Sequence, residues 1–121
     1  MKLLNELFNK KSDFYITKST GWICNIEIKQ GDVTFVQKIS IRDCLYTDEP
    51  FSSTYKIESA MSKASRRISY WEDQTLIEVS PNYWISTASV KYIKITDIQI
   101  FNVTFNFKTG EIIKVEDYDK V

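Results

Sequence analysis

The sequence predicts an α+β domain: a compact, mostly antiparallel sheet, strongly bent or closed into a pseudo-barrel, with a short N-terminal helix and one central helix. Three observations predict it. The inventory holds 16 Ile, 7 Val, 10 Thr, 7 Phe, 7 Tyr and 3 Trp against 5 Leu and 3 Ala, and β-branched and flat side chains suit a pleated, half-buried surface better than a helix. Two long runs alternate apolar and polar residues with period two. One stretch alone, in the middle, switches to helical spacing over several turns. At 121 residues the chain fits one domain, 1–121, around one core.

Each element follows from local pattern. Leu3, Leu4, Leu7 and Phe8 fall at helical spacing, giving a short helix over about residues 2–10 that must dock to persist. Residues 14–17 read as a short strand and Ser19-Thr20-Gly21 as a turn. Trp22, Cys24, Ile26 and Ile28 then alternate with Asn25, Glu27 and Lys29. Beyond Gln30-Gly31-Asp32, Val33, Phe35, Ile39 and Ile41 alternate with Thr34, Lys38, Ser40 and Arg42. Two such runs about a Gly-Asp dipeptide make a β-hairpin.

Residues 42–53, with Asp48-Glu49-Pro50 and two serines, read as a long loop. Over residues 54–70, Ile57, Ala60, Ala64, Ile68 and Trp71 gather on one side at about 100° per residue, with Met61 at the margin. This is an amphipathic helix, with Ser53 or Thr54 placed to cap it. Strands follow at 75–79, 83–87 and 90–95, with a turn at Pro81-Asn82 and a break near Ala88-Ser89. Phe101, Val103, Phe105 and Phe107 alternate faultlessly with Asn102, Thr104, Asn106 and Lys108. The turn at 108–111 then leads into residues 112–116, a second hairpin with one apolar face. All three glycines fall at predicted turns, and the acidic tail Glu116-Asp117-Tyr118-Asp119 reads as loose.

The composition also excludes function classes. Sixteen basic and 16 acidic side chains cancel, so only a local patch could attract an anionic partner. With no histidine, serine–histidine and cysteine–histidine nucleophile pairs and histidine zinc ligands are ruled out. Cys24 and Cys44 form no close-spaced pair, and read as two reduced, buried thiols of a cytoplasmic protein. The leading residues lack the apolar run of a signal peptide, and no stretch approaches the roughly 20 apolar residues of a membrane span. The carboxylates Asp48-Glu49, Glu72-Asp73 and Glu116-Asp117 lie in no calcium-loop pattern, and no glycine-rich phosphate loop or dinucleotide fingerprint occurs. The expectation is a protein that is no enzyme and has no cofactor, no metal and no membrane association.

Candidate binding residues cluster on the central helix. Lys56, Lys63 and Arg67 lie within about 40° of one another around its axis, with Arg66 further round. The first 70 residues carry 11 basic and 8 acidic groups and the remainder 5 and 8, so cations are concentrated in that half. Such a ridge suits phosphate contact, although long basic side chains also flank the buried stripe of any solvated helix. Tyr70 and Trp84 stand near it, and an exposed ring beside Arg66 and Arg67 would stack an unpaired base. Tyr83 and Trp84 are adjacent in a strand, so one of them faces away from the core.

The leading helix, the Trp22–Ile41 hairpin, the inserted helix carrying Lys63, Arg66 and Arg67, and the closing hairpin of residues 101–115 together resemble the PrgU-like proteins. These are small cytoplasmic proteins of enterococcal pheromone-responsive conjugative plasmids. The resemblance covers nearly the whole chain through size and element order, without a diagnostic motif. It implies a PUA-like pseudo-barrel, association with RNA, and a regulator that restrains production of conjugation surface proteins. It supplies no catalytic residues. Zero net charge departs from the basic composition of a typical RNA-binding domain. The leading expectation is therefore a non-catalytic RNA-binding regulator using Lys56, Lys63, Arg66, Arg67, Tyr70 and Trp84. The alternative is a protein-binding inhibitor or immunity-type module, which complementary patches on a neutral molecule serve equally well. A third reading, a small-ligand barrel, would need a sizeable apolar cavity.

Overall fold

A computed structural model describes residues 14–48 and 54–118. Its centre is a four-stranded, wholly antiparallel sheet in the order β2-β1-β7-β8, formed by β1 (Ile16–Gln30), β2 (Val33–Ile39), β7 (Val90–Asn106) and β8 (Ile112–Asp117). The sheet curls into a half-barrel, which together with a helix makes the α+β class. Two hairpin-like pairs complete the strands: β3 (Leu45–Thr47) with β4 (Tyr55–Ile57), and β5 (Leu76–Ser80) with β6 (Tyr83–Ser86). The helix α1 spans Ala60–Glu72. The N-terminal helix expected over residues 2–10 lies outside the described residues.

The alternation of β1 sets the core. Cys24, Ile26 and Ile28 are buried, as is Ile39 on β2, and α1 lays Ala60, Ala64 and Trp71 over them. Two alanines at successive turns let the helix backbone approach the sheet closely. Ile77, Val79 and Ile85 of the β5–β6 pair close the same cluster. A second, smaller cluster of Ile41, Val103 and Phe105 lies further along the long strands, ringed by Leu45, Tyr55, Phe101, Phe107 and Ile112. Both thiols are buried and unpaired. Burial raises the Cys24 thiol above its ordinary value and pushes Cys44 up to about 11.

Both hairpins read from alternation are present, but several boundaries differ. The expected turn at Ser19-Thr20-Gly21 is absent because β1 continues through it, pairing Ser19 with Val103 and Gly21 with Phe101. Gly21 is needed there for lack of bulk: a Cβ would stand 2.7 Å from Val103 Cγ2. Gly31 and Gly110 do sit in turns, with φ of 57° and 78°. The strands read at 90–95 and 101–107 are one strand, β7, kinked by a register shift opposite Ile23–Asn25 where Asp97 adopts φ 53°. That bulge breaks the alternation and hides the continuity. The break at Ala88-Ser89 is a single 3-10 turn, Thr87–Ser89.

The central helix begins later than its spacing predicts. Residues 55–57 form β4 against β3, so Lys56 and Ile57 are strand residues, and the helix cap is Ser59, whose hydroxyl accepts from Met61 N at 3.2 Å. The segment read as a long loop contains a 3-10 turn (Arg42–Cys44) and β3. Glu116 and Asp117, read as part of a loose tail, belong to β8.

Candidate binding cleft

The ridge expected on α1 does not form as one surface. Lys56, moved to β4, pairs with Asp48 at 2.6 Å. Arg66 pairs with Glu58 at 2.7 Å, and this contact lowers the Glu58 carboxyl and raises the Arg66 guanidinium. Lys63 donates its ammonium to the carbonyl oxygen of Asp43. Two of the four cations are thus paired with carboxylates and a third, Lys63, is turned to a backbone carbonyl, which weakens the field they could offer to phosphates.

Arg67 is different. One turn beyond Lys63 on the same flank of α1, its Nη1 donates to the amide oxygen Gln37 Oε1 at 3.1 Å. Gln37 Nε2 in turn donates to the Glu78 carbonyl at 2.9 Å. The guanidinium is therefore held in place by an amide that spans from β2 to β5. Among the described residues no carboxylate pairs with Arg67 within 4.0 Å, although the Asp43 carboxylate feels its charge from further off; the guanidinium is oriented by an amide and not by an ion pair.

Arg67 lies in a cleft of about 470 Å³ between the end of α1 and the β5–β6 pair, shared with Gln37, Tyr70, Trp71, Gln74, Leu76, Ile77, Glu78 and Trp84. Two of these lining residues, Trp71 and Ile77, are buried. The rim is apolar and open to water: Tyr70 is 64% exposed, Trp84 58% and Leu76 54%. Trp84 stands directly opposite Glu78 in the ladder, on the face turned away from the buried Ile77–Ile85 pair. The cleft's one acid, Glu78, is itself engaged, its carboxylate accepting from Asn82 N at 3.1 Å.

Of the six candidate residues, the structure brings Arg67, Tyr70 and Trp84 to one cleft and turns Lys56, Lys63 and Arg66 to other partners. Both rings of the Tyr83-Trp84 pair are more than half exposed, but they do different things: Tyr83 leans on Phe35 with centroids 5.5 Å apart, while Trp84 faces the cleft. Sequence reading missed Gln37, Gln74 and Leu76. Gln37 carried a signal, since an amide stands in the inward register between Phe35 and Ile39. Among the described residues no cluster of three or more cysteines and carboxylates could hold a metal ion, and no helix is long and apolar enough to cross a membrane.

No protein-family model matches the chain, and neither does any curated protein or solved structure.

Proposed function

We propose that the protein is a non-catalytic docking module whose cleft takes up an exposed segment of another protein. The observation that carries this is an oriented arginine, without a salt-bridge partner among the described residues, ringed by Tyr70, Trp84 and Leu76. Tyrosine, tryptophan and arginine are the side chains that dominate interface energetics, and contiguous exposed apolar surface marks interaction sites. The fitting segment inserts an apolar side chain between Tyr70 and Trp84 and offers a carboxylate to the free edge of Arg67. Charge favours a protein over a nucleic acid here. A groove that tracks a phosphate backbone needs a series of available cations, and this cleft has one cation and one acid.

A second reading retains RNA, because Arg67 flanked by two exposed rings also suits one stacked base, worth about 1–3 kcal/mol. In that reading the PUA-like fold and the regulatory role implied by the PrgU resemblance supply the setting.

Capture from a nuclease-treated lysate, repeated with three variants, separates the readings. A stoichiometric protein should be retained by the wild type and by Lys56→Glu/Arg66→Glu. It should be lost with Arg67→Ala and with Trp84→Ala, each costing about 2 kcal/mol, or about 30-fold in Kd. Recovery that disappears on nuclease treatment supports RNA and overturns the protein reading. Recovery indifferent to Arg67 and Trp84 overturns the cleft as the binding site in either reading.

A further inference from the structure

The two edges of the main sheet are treated differently. Beyond β2 lies the β5–β6 pair, joined to it by the Gln37–Glu78 hydrogen bond and the Phe35–Tyr83 ring contact. β8 is the other edge, and among the described residues no strand pairs with its outer side. Ile113 and Val115 there are 47% and 45% exposed.

The ladder fixes which backbone groups this edge presents. Asn106 N donates to the Glu111 carbonyl at 2.9 Å and Tyr118 N to the Ile100 carbonyl at 3.4 Å. With Val103 opposite Val115 and Phe101 opposite Asp117, the two-residue alternation of an antiparallel ladder directs the polar groups of Lys114, Glu116 and Tyr118 towards β7. Those of Val115 and Asp117 then point outwards. An open edge of this kind is a template for another strand.

We propose that this other strand is β8 of a second copy, paired antiparallel about a two-fold axis at Val115. The pattern of charge selects both the partner and the register. With Val115 opposite Val115 of the second copy, Lys114 meets Glu116 and Glu116 meets Lys114. Within one strand these two side chains already lie 3.6 Å apart on one face, so the pairing closes a square of alternating charge. Moving the axis to Lys114 or to Glu116 sets two like charges directly opposite, which destabilises a sheet. The Val115 register also makes the central pair a hydrogen-bonded one, each Val115 N–H donating to the other's carbonyl. The interface is isologous and closes on itself, joining two curled four-stranded sheets edge to edge. It is separate from the cleft, so either assignment can fail without the other.

The test is a charge swap read by sedimentation velocity over a rising concentration series. The wild type should dimerise. K114E alone and E116K alone each place like charges opposite twice per dimer, and should weaken self-association about tenfold or more. Mixing K114E with E116K restores both opposite-charge pairs and should yield a heterodimer. V115P removes an outward N–H that β7 does not use, and should give a monomer with a nearly unchanged thermal midpoint. In a hydrogen-bonded antiparallel pair the Cα atoms lie about 5.5 Å apart, which suits a disulfide, so oxidised V115C should run as a covalent dimer. A wild type that stays monomeric throughout the series overturns the proposal, as does a dimer insensitive to K114E and E116K or one that mixing fails to restore.

Discussion

Replacing Gly21 by alanine puts a methyl group where the two longest strands have left no space for one. The new Cβ would lie 2.7 Å from Val103 Cγ2 and 3.5 Å from Ile41 Cγ1, whereas carbon atoms in favourable contact stand about 3.5–4.0 Å apart. Val103 is completely buried, so its methyl group can move only by displacing other core atoms. Overpacking of this kind costs about 1–3 kcal/mol. Gly21 does not have the positive φ that Gly31 and Gly110 adopt, so alanine suffers no backbone strain and regains about 0.5–1 kcal/mol by restricting the unfolded chain. The net expectation is a loss of about 1–2 kcal/mol. Val103→Ala alone should cost about 2–3 kcal/mol through lost burial and a residual cavity. In the double variant the alanine Cβ occupies the vacated space, so the two costs should fall short of their sum by about 1–3 kcal/mol. Urea unfolding followed by tryptophan fluorescence, with Trp22 next to the site, measures all four corners of the cycle. Costs that add to within about 0.5 kcal/mol, or a stabilised Gly21→Ala, would refute the claim that this glycine leaves space for Val103.

Two further outcomes follow from burial and pairing. Both thiols are buried, with Cys44 held up to about 11, so an aromatic disulfide reagent at about pH 8 should modify neither in the folded protein and both in denaturant; rapid labelling of one thiol in native buffer contradicts this. The Glu58 carboxyl is lowered by its hydrogen bond from Arg66, and the Asp43 carboxyl is lowered because hydrogen bonds from Ser40, with the Lys63 and Arg67 charges, outweigh its partial burial. A depressed folded value means that their stabilisation is present above the ordinary carboxylate range and is lost as pH falls through the folded values. The thermal midpoint should therefore drop on acidification, and it should drop less steeply in Glu58→Gln/Asp43→Asn. An identical slope in that variant would assign the acid sensitivity to other groups.

What could be read from sequence divides along a physical line. The β1–β2 and β7–β8 hairpins were legible because each buries one face, and period two records that burial directly. The helix interior was legible through Ala60, Ala64 and Trp71. Its start was not, because residues 55–57 fit either period and only pairing with Leu45–Thr47 makes them a strand. Ser19-Thr20-Gly21 has turn chemistry, yet the requirement at Gly21 is set by Val103, 82 positions away along the chain. The site shows the same division. Arg67, Tyr70 and Trp84 stood out by residue type. The acids that divert Lys56 and Arg66, and the amide that positions Arg67, are contacts made by the fold and carry no sequence signature beyond the inward placement of Gln37.

The pairing of Ile16 with Asn106 has a consequence for how the molecule is made. During synthesis the first hairpin can close as soon as residue 39 leaves the ribosome, but the other flank of its first strand must wait for β7, which begins only at Val90. For that interval a long apolar ribbon has one side satisfied and one side bare, and it depends on chaperones or on speed to avoid the wrong neighbour. Mutations in the seventh strand should therefore harm the nascent chain as well as the finished protein.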